Sequence, residues 1–207
     1  MNVSDLYAKL KFTDSQLQAI VGIYNNHFKS MMPNTYAGKG IIALWYKDAT
    51  WETGKGADAN HNHVGIISKE CQHDPLWQQF ADILPYMGKS ATITKINSGA
   101  VMYPHVDRKW RPEAIYFPIS GCSKKCVSEY YDLPKIDTNN SQGVGFFPKP
   151  VAEYSVYEHA YLTNVHEWHS VKNKSQYERV ALGWNFKSPD MSYKQCYSIL
   201  ERLGYIA

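Results

Sequence analysis

Two histidines, one aspartate and one arginine stand at spacings that could hold a metal ion and an anionic ligand together. His105 and Asp107 are separated by one residue, His169 follows sixty-two positions after Asp107, and Arg179 lies ten positions further on. In a β-strand, residues i and i+2 point to the same face, so His105 and Asp107 would project together. Pro104 removes a backbone donor, which indicates that this strand ends or lies at a sheet edge.

Two nitrogens and one oxygen on one side of a metal leave three coordination positions open, as Fe(II) centres that bind dioxygen require. Other interpretations of the same residues stay open. An isolated His-x-Asp is common as a surface hydrogen-bonded pair. His166 competes with His169, because His-x-x-His could also bind a metal. Arg179 opens an apolar segment, where an unpaired guanidinium is costly to bury, so its partner is either a ligand carboxylate or a glutamate such as Glu178 or Glu167.

Two runs of sequence carry a family resemblance. They are TITKINSGAVMYPHVD, which ends at Asp107, and HSVKNKSQYER, which ends at Arg179. Over residues 91–186 the chain resembles the Fe(II)- and 2-oxoglutarate-dependent dioxygenase superfamily, and most closely its aspartyl/asparaginyl β-hydroxylase-like and prolyl-hydroxylase-like members. The shared pattern is His-x-Asp, a gap of several strands, His-x-Val-x-Asn, and an arginine about ten residues later.

The resemblance implies a metal site and its catalytic residues. His105, Asp107 and His169 match the Fe(II) ligands of the superfamily. The ten-residue spacing to Arg179 matches His169, whereas His166 lies thirteen residues away. Asp107 supplies the metal carboxylate that some aspartyl β-hydroxylases lack, and its presence argues against a halogenase, in which a small residue replaces it.

The resemblance also implies a site for 2-oxoglutarate. Arg179 matches the residue that pairs with the distal carboxylate of this cosubstrate. Thr94, on the strand before His-x-Asp, matches a hydroxyl that helps to hold the same carboxylate, and Tyr116, on the strand after it, matches a position that reaches the cosubstrate. Some relatives carry a second arginine on the strand after His-x-Asp, but neither Arg108 nor Arg111 aligns with it.

The implied activity is hydroxylation of a C–H bond with 2-oxoglutarate and dioxygen as cosubstrates, releasing succinate and carbon dioxide. The expected substrate is an amino-acid side chain, either in a peptide or protein or in a free amino acid. Two alternatives remain: an oxygenase acting on a nucleobase or another small molecule, and a cupin-like protein that holds a metal without turnover. Arg179 discriminates against the second alternative, because a purely structural metal site does not need a cation at that spacing.

Helices are predicted on either side of a β-rich region. Thr13-x-x-Gln16 forms a capping box, and apolar residues at helical spacing continue to about Ser30. Asp74 followed by proline begins a second helix with an apolar face formed by Leu76, Trp77, Phe80, Ile83 and Leu84. A third helix is expected over Ser192–Leu203, with Gly204 as its stop.

The remaining pattern predicts a mainly β fold with flanking helices and a double-stranded β-helix core of the jelly-roll or cupin type. A buried strand is expected at Gly40–Tyr46, followed by a loop over Lys47–Asn62, and Gly121–Gly143 is interpreted as a long insertion. Within a single domain of residues 1–207, residues 1–90 would support the core at 91–187, and residues 188–207 would hold the C-terminal helix. The core strands are expected at Ala91–Asn97, Val101–Val106, Ala114–Ile119, Val144–Phe147, Tyr154–Tyr157, Ala160–Asn164 and Val180–Phe186.

Composition limits the classes of partner. The 207 residues are 44% hydrophobic and 20% charged, as in ordinary globular chains. A net charge of +3 gives no broad electrostatic case for nucleic acid. No apolar run approaches the ~20 residues that span a bilayer, and the N-terminal MNVSDLYAKLKF is too polar for a secretory signal, so we expect a cytoplasmic protein with no membrane partner. The cysteines are then expected as free thiols: Cys71, Cys122, Cys126 and Cys196.

Overall fold

The computed structural model describes residues 2–29, 60–67, 69–107, 111–134 and 142–207. In these ranges the chain is mostly β-structure. The strands are β1 Tyr7–Lys9, β2 Asn60–Ile66, β3 Met87–Ile96, β4 Val101–Val106, β5 Ala114–Ser120, β6 Cys126–Tyr130, β7 Gln142–Gly143, β8 Ala152–Ser155, β9 Tyr161–Thr163, β10 His169–Asn173 and β11 Arg179–Phe186.

The strands form two sheets that face each other across the candidate site. The larger sheet has the order β1-β9-β5-β11-β3-β2, and the smaller has the order β7-β4-β10-β6-β8. All strand pairs described are antiparallel. The predicted mainly β fold with a jelly-roll core is confirmed.

Strand β11 shows how the larger sheet separates core from site. Its side chains alternate between the two faces, as the two-residue period of a strand requires. One face joins the apolar core with Val180, Leu182, Trp184 and Phe186. The opposite face carries Arg179 into the space between the sheets and leaves Gly183 against the ring of Tyr116. The strand is buried along its whole length, as a central strand covered on both faces must be.

Helices cover the outer face of the larger sheet. They are α1 Asp14–Ile23, which continues as a π-helical turn over Tyr24–Phe28, α2 Lys69–Gln72, and α3 Tyr193–Arg202. Thr13 and Ser192 cap α1 and α3 through capping boxes, which confirms both predicted helix starts. Short 3-10 helices lie at Val3–Asp5, Pro75–Phe80 and Leu84–Tyr86. Among the described residues, no helix has the length and apolar character needed to cross a membrane.

The second predicted helix is wrong in type. Residues Pro75–Phe80 and Leu84–Tyr86 form two separate 3-10 helices. Pro85 lacks a backbone N–H and would clash with the carbonyl of Ala81, so an α-helix that began at Pro75 could not continue through it. The predicted Asp74 cap is confirmed, since its carboxylate accepts a hydrogen bond from the N–H of Leu76 at 2.9 Å.

Two predictions about the smaller sheet are also wrong. Residues Gly121–Gly143 are not simply an insertion, because β6 lies within them and pairs with both β10 and β8. The strand expected at Val144–Phe147 is absent, and β7 lies just before it at Gln142–Gly143. Val144 donates its N–H to the carbonyl of Pro104 at 3.0 Å. Pro104 has no N–H to donate in return, so the ladder ends there.

Three further strands were not expected from the sequence. They are β1, β10 and β2, the last of which begins inside the predicted loop Lys47–Asn62 and pairs with β3. The predicted strand Gly40–Tyr46 and residues 47–59 of that loop lie outside the described residues. The strands expected at Val101–Val106 and Val180–Phe186 are confirmed, the second beginning one residue earlier at Arg179.

Candidate active site

The two histidines of the predicted triad come from neighbouring strands of the smaller sheet. His105 on β4 and His169 at the start of β10 are register partners, so their rings lie side by side with centroids 4.2 Å apart. Asp107 follows β4, and its N–H donates to the carbonyl of Val165 at 3.0 Å. One ligand atom from each of the three side chains lies within 4.8 Å of the others, and all three residues are buried. The structure therefore brings the predicted triad together.

Hydrogen bonding fixes which imidazole nitrogen faces the centre of the triad. Nδ1 of His105 lies 2.8 Å from the carbonyl of Tyr103, and Nδ1 of His169 lies 2.8 Å from the carbonyl of Glu167. A carbonyl can only accept, so each Nδ1 carries the proton and each Nε2 keeps a lone pair. Nε2 of His105 lies 3.8 Å from Oδ1 of Asp107, and Nε2 of His169 lies 4.0 Å from Oδ2.

The electrostatics of the triad suit a divalent metal. Burial, and then the neighbouring His169, lowers the pKa of His105 to about 3, so the ring is neutral near pH 7. Burial also lowers the pKa of His169. Although burial opposes it, the pKa of Asp107 is lowered, chiefly by Arg111. Neutral imidazoles and an ionised carboxylate are the states that bind a metal, so the donor set fits Fe(II).

Arg111 is a residue whose contacts the sequence did not predict. Its Nη1 donates to Oδ2 of Asp107 at 2.5 Å, and its Nη2 donates to the hydroxyl of Tyr116 at 2.6 Å. One guanidinium therefore joins the carboxylate of the triad to the wall of the neighbouring pocket. The sequence feature that could have indicated Arg111 is the basic stretch directly after Asp107. Arg111 does not align, however, with the second arginine that some members of the resembled family carry.

A pocket lies between the sheets beside the triad, and the space between its walls, open solvent at its mouth included, is about 440 Å³. The pocket is lined by the three residues predicted to bind the cosubstrate, Arg179, Thr94 and Tyr116, and by both histidines of the triad. Its lining consists of Thr94, Met102, His105, Arg111, Tyr116, Ser128, Tyr154, Thr163, His169, Val171 and Arg179. Three of the lining residues were not predicted from the sequence: Ser128 on β6, Tyr154 on β8 and Thr163 on β9. The hydroxyls of Tyr154 and Thr163 share a hydrogen bond of 2.8 Å.

Arg179 enters this pocket as a buried cation. Arg179 is only 3% exposed, and its Nε and Nη1 have no hydrogen-bond partner among the described residues. Glu178, one partner that the sequence left open, instead lies 3.1 Å from Nζ of Lys95. Burial raises the pKa of the adjacent Cys122 thiol, and Arg179 opposes that shift. A buried guanidinium with unsatisfied donors, in a pocket, is suited to binding an anion.

His166 stands outside the triad. Its Nε2 lies 3.8 Å from Oε1 of Glu113, with the histidine side chain 28% exposed. Glu113 itself is almost fully buried, and burial raises its pKa to about 8. The group of side chains that could hold a metal includes His169 and not His166, in agreement with the spacing argument.

Comparisons with known proteins support the fold. No family model matches the sequence, and no curated protein matches it either. Among solved structures, the carbocyclase SnoK from nogalamycin biosynthesis gives a TM-score of 0.51 at 11% identity, over 90% of this chain and 81% of the other. The epimerase SnoN from the same biosynthesis gives 0.50 at 9% identity, over 92% and 84%. Both are described as non-haem and α-ketoglutarate-dependent.

A Pseudomonas putida prolyl-4-hydroxylase also matches, with a TM-score of 0.47 at 12% identity over 89% of this chain and 94% of the other. At these identities the matches establish the fold alone. Fold and site together define a double-stranded β-helix protein with a buried centre of two histidines and one carboxylate. The specific subfamily named from the sequence stays a prediction.

Proposed function

We propose that this protein is a non-haem Fe(II)- and 2-oxoglutarate-dependent oxygenase that hydroxylates a C–H bond. The observation that carries the proposal is Arg179, a buried guanidinium with two unpartnered nitrogens among the described residues, in the same pocket as the triad. A metal-binding protein without turnover would gain nothing from that cation, whereas a dicarboxylate cosubstrate would neutralise it.

The triad supplies the metal ligands in this proposal. His105 and His169 would bind Fe(II) through Nε2, because their Nδ1 protons are held by backbone carbonyls, and Asp107 would bind through a carboxylate oxygen. When bound, Fe(II) supplies the activation of dioxygen, with 2-oxoglutarate oxidised to succinate and carbon dioxide while one oxygen atom enters the substrate C–H bond. The protein residues orient the reactants and exclude water.

The pocket walls would hold the cosubstrate. Arg179 would form two parallel hydrogen bonds to the distal carboxylate of 2-oxoglutarate. Thr94 on β3 and Tyr116 on β5 line the same pocket, and each hydroxyl can donate to a carboxylate. Strand β11 lies between β3 and β5, so its neighbours place Thr94 and Tyr116 on either side of the strand that carries Arg179.

The substrate proposed from the sequence resemblance is an amino-acid side chain, in a peptide or protein or in a free amino acid. A second candidate is a small molecule. It is favoured by the two similar folds with TM-scores of 0.51 and 0.50, a carbocyclase and an epimerase from nogalamycin biosynthesis. A pool of peptides and free amino acids and a pool of other metabolites, each assayed for succinate release above the substrate-free rate, distinguish the two candidates.

Anaerobic titration of the Fe(II)-loaded protein with 2-oxoglutarate tests the proposal. We expect a visible metal-to-ligand charge-transfer band that saturates at one cosubstrate per iron. The band should vanish in Asp107→Ala and require far more 2-oxoglutarate in Arg179→Gln. Arg202→Gln, a change on the surface of α3, is the matched control and should titrate like the wild type. Iron bound in the wild type without any band would contradict the proposal and favour a cupin-like metal-binding protein.

A further inference from the structure

Arg111 connects the metal site to the cosubstrate pocket through a single rigid group. Its two terminal nitrogens reach Oδ2 of Asp107 at 2.5 Å and the Tyr116 hydroxyl at 2.6 Å. The arginine side chain is 15% exposed and the aspartate side chain 6% exposed, so solvent screens this contact weakly. A planar fork bound at both ends fixes the orientation of each partner.

These bonds make the two oxygens of Asp107 chemically different. Oδ2 accepts the hydrogen bond from the guanidinium and lies 4.0 Å from Nε2 of His169, whereas Oδ1 accepts none from Arg111 and lies 3.8 Å from Nε2 of His105. A carboxylate can bind a metal through one oxygen or through both. Binding through both would consume a coordination position that a chelating keto acid and dioxygen together need, since two histidines and one oxygen leave three.

We propose that Arg111 is a positioning residue that restricts Asp107 to binding the metal through one oxygen and thereby keeps the third coordination position open. The inference rests on the proposed function, because it presupposes a metal on the triad. Through its second bond, Arg111 also fixes the hydroxyl of Tyr116 at the wall of the cosubstrate pocket. Asp107 and Tyr116 therefore depend on the same guanidinium for their orientation.

The inference predicts that removal of Arg111 changes metal affinity and 2-oxoglutarate affinity differently, whereas a general loss of structure would weaken both. Removal of Arg111 frees Oδ2 and removes a nearby positive charge, so metal binding should be equal to or tighter than in the wild type. The affinity for 2-oxoglutarate should fall about ten-fold or more, because the keto acid must then displace the second carboxylate oxygen from the metal, and because Tyr116 loses its charge-assisted hydrogen bond to Arg111. A role in folding alone would weaken metal and cosubstrate binding together.

The test uses Mn(II) in place of Fe(II), in the wild type, Arg111→Met and Arg111→Lys. Water-proton relaxation counts the water molecules that exchange on the bound Mn(II), and 2-oxoglutarate is then titrated against the same readout. We expect Arg111→Met to bind Mn(II) with fewer exchangeable waters, and to lose the residual relaxation enhancement once 2-oxoglutarate saturates. Arg111→Lys, which can reach only one of the two partners, should be intermediate, and Arg202→Met is the control.

The outcomes separate this inference from the proposed function. If wild-type protein binds neither Mn(II) nor Fe(II), the proposed function fails and the inference falls with it. If the wild type binds metal and 2-oxoglutarate but Arg111→Met has the same number of exchangeable waters and the same cosubstrate affinity, only the inference is overturned. Loss of Mn(II) binding in folded Arg111→Met and Arg111→Lys would also overturn it, because Arg111 would then be needed to form the metal site itself.

Discussion

The ring of Tyr116 lies directly against the backbone of Gly183, on the strand next to it. A Cβ atom added at Gly183 would stand 2.8 Å from Cε1 of that ring and 3.1 Å from Cζ. The ring cannot swing away freely, because its hydroxyl is bonded to Arg111 at 2.6 Å. Glycine is therefore required at this point of β11 by the close approach of a pocket side chain.

Gly183→Ala should consequently displace Tyr116. We expect a loss of about 1–3 kcal/mol in the free energy of unfolding from overpacking, together with weaker binding of 2-oxoglutarate. Urea denaturation and cosubstrate titration measure the two effects. Gly145→Ala is the matched control, since nothing lies within 4 Å of its added Cβ. Equal stability and equal cosubstrate affinity in both variants would show that the Tyr116 contact is not needed.

Substitution of the triad should remove metal binding. His105→Ala, Asp107→Ala and His169→Ala are each expected to weaken Fe(II) binding by at least about 100-fold. Loss of a residue that only orients a metal ligand lowers metal affinity by up to about 100-fold, and loss of the ligand itself should cost at least as much. Chelator competition measures the affinity. His166→Ala is the control, because its ring contacts Glu113 and stands outside the triad. If His166→Ala proved as damaging as His169→Ala, the ligand assignment would be wrong.

The cation in the pocket should cost stability while no anion is bound. Arg179→Met removes a buried charge whose Nε and Nη1 lack partners among the described residues, so we expect the cosubstrate-free protein to be more stable by about 1 kcal/mol. The wild type, loaded with redox-inert Zn(II), should gain about 2.7 kcal/mol at 2-oxoglutarate a hundred times its Kd. Arg179→Met should show no such gain.

Thermal and urea unfolding with and without 2-oxoglutarate provide both numbers. Lys95→Met is the matched control, because it removes a cation paired with Glu178 at 3.1 Å on the same sheet. That variant should retain the full response to the cosubstrate. A variant at Arg179 that still responded to 2-oxoglutarate like the wild type would contradict the proposed role.

The site was more predictable from the sequence than the sheets were. The two-residue period of a strand was enough to place His105 beside Asp107, and an arginine opening an apolar strand was enough to indicate a buried cation. Strands β1, β6 and β10 were missed because they are short and partly polar. They are stabilised by partners distant in sequence, such as β9 for β1 and β8 for β6.

The contact between Arg111 and Asp107 could not be predicted for a similar reason. It depends on Tyr116 presenting its hydroxyl from β5, and the position of that strand is fixed by β9 and β11. Local sequence contains no information about a contact among three side chains, Asp107, Arg111 and Tyr116, that depends on the packing of distant strands. The cytoplasmic location and the single-domain organisation expected from the sequence stay predictions.

Asn173, the last residue of the His-x-Val-x-Asn pattern, should be a structural residue. Its Nδ2 donates to the carbonyls of Ile96 and Tyr177, each at 2.8 Å, and its Oδ1 accepts the N–H of Ser175 at 3.1 Å. Asn173→Ala would leave several buried backbone groups unpaired, at about 1–3 kcal/mol each. We expect a loss of about 3 kcal/mol or more in urea denaturation. Gln176→Ala, which removes only an exposed amide, should change little; similar losses in both variants would contradict this role.

Glu113 should make stability depend on pH. Burial raises its pKa from 4.5 to about 8, although its carboxylate accepts the N–H of Val165. The folded protein therefore holds a proton that the unfolded chain releases above about pH 4.5. The stabilising contribution of neutral Glu113 is complete below that pH and is lost as the pH rises towards 8. Glu113→Gln keeps the neutral amide at every pH, so it should lose this dependence.

The measurement is the difference in free energy of unfolding between wild type and Glu113→Gln, from pH 5 to pH 8, in metal-free protein. We expect the wild type to lose, relative to Glu113→Gln, at most about 1.4 kcal/mol of unfolding free energy for each unit by which the pH rises. The lowered pKa of His105 acts in the opposite direction, since its contribution is lost as the pH falls from 6.5 towards 3, but it is common to both proteins and cancels. Glu201→Gln, an exposed change on α3, is the control. A difference that stayed constant across this range would show that Glu113 is ionised in the folded protein.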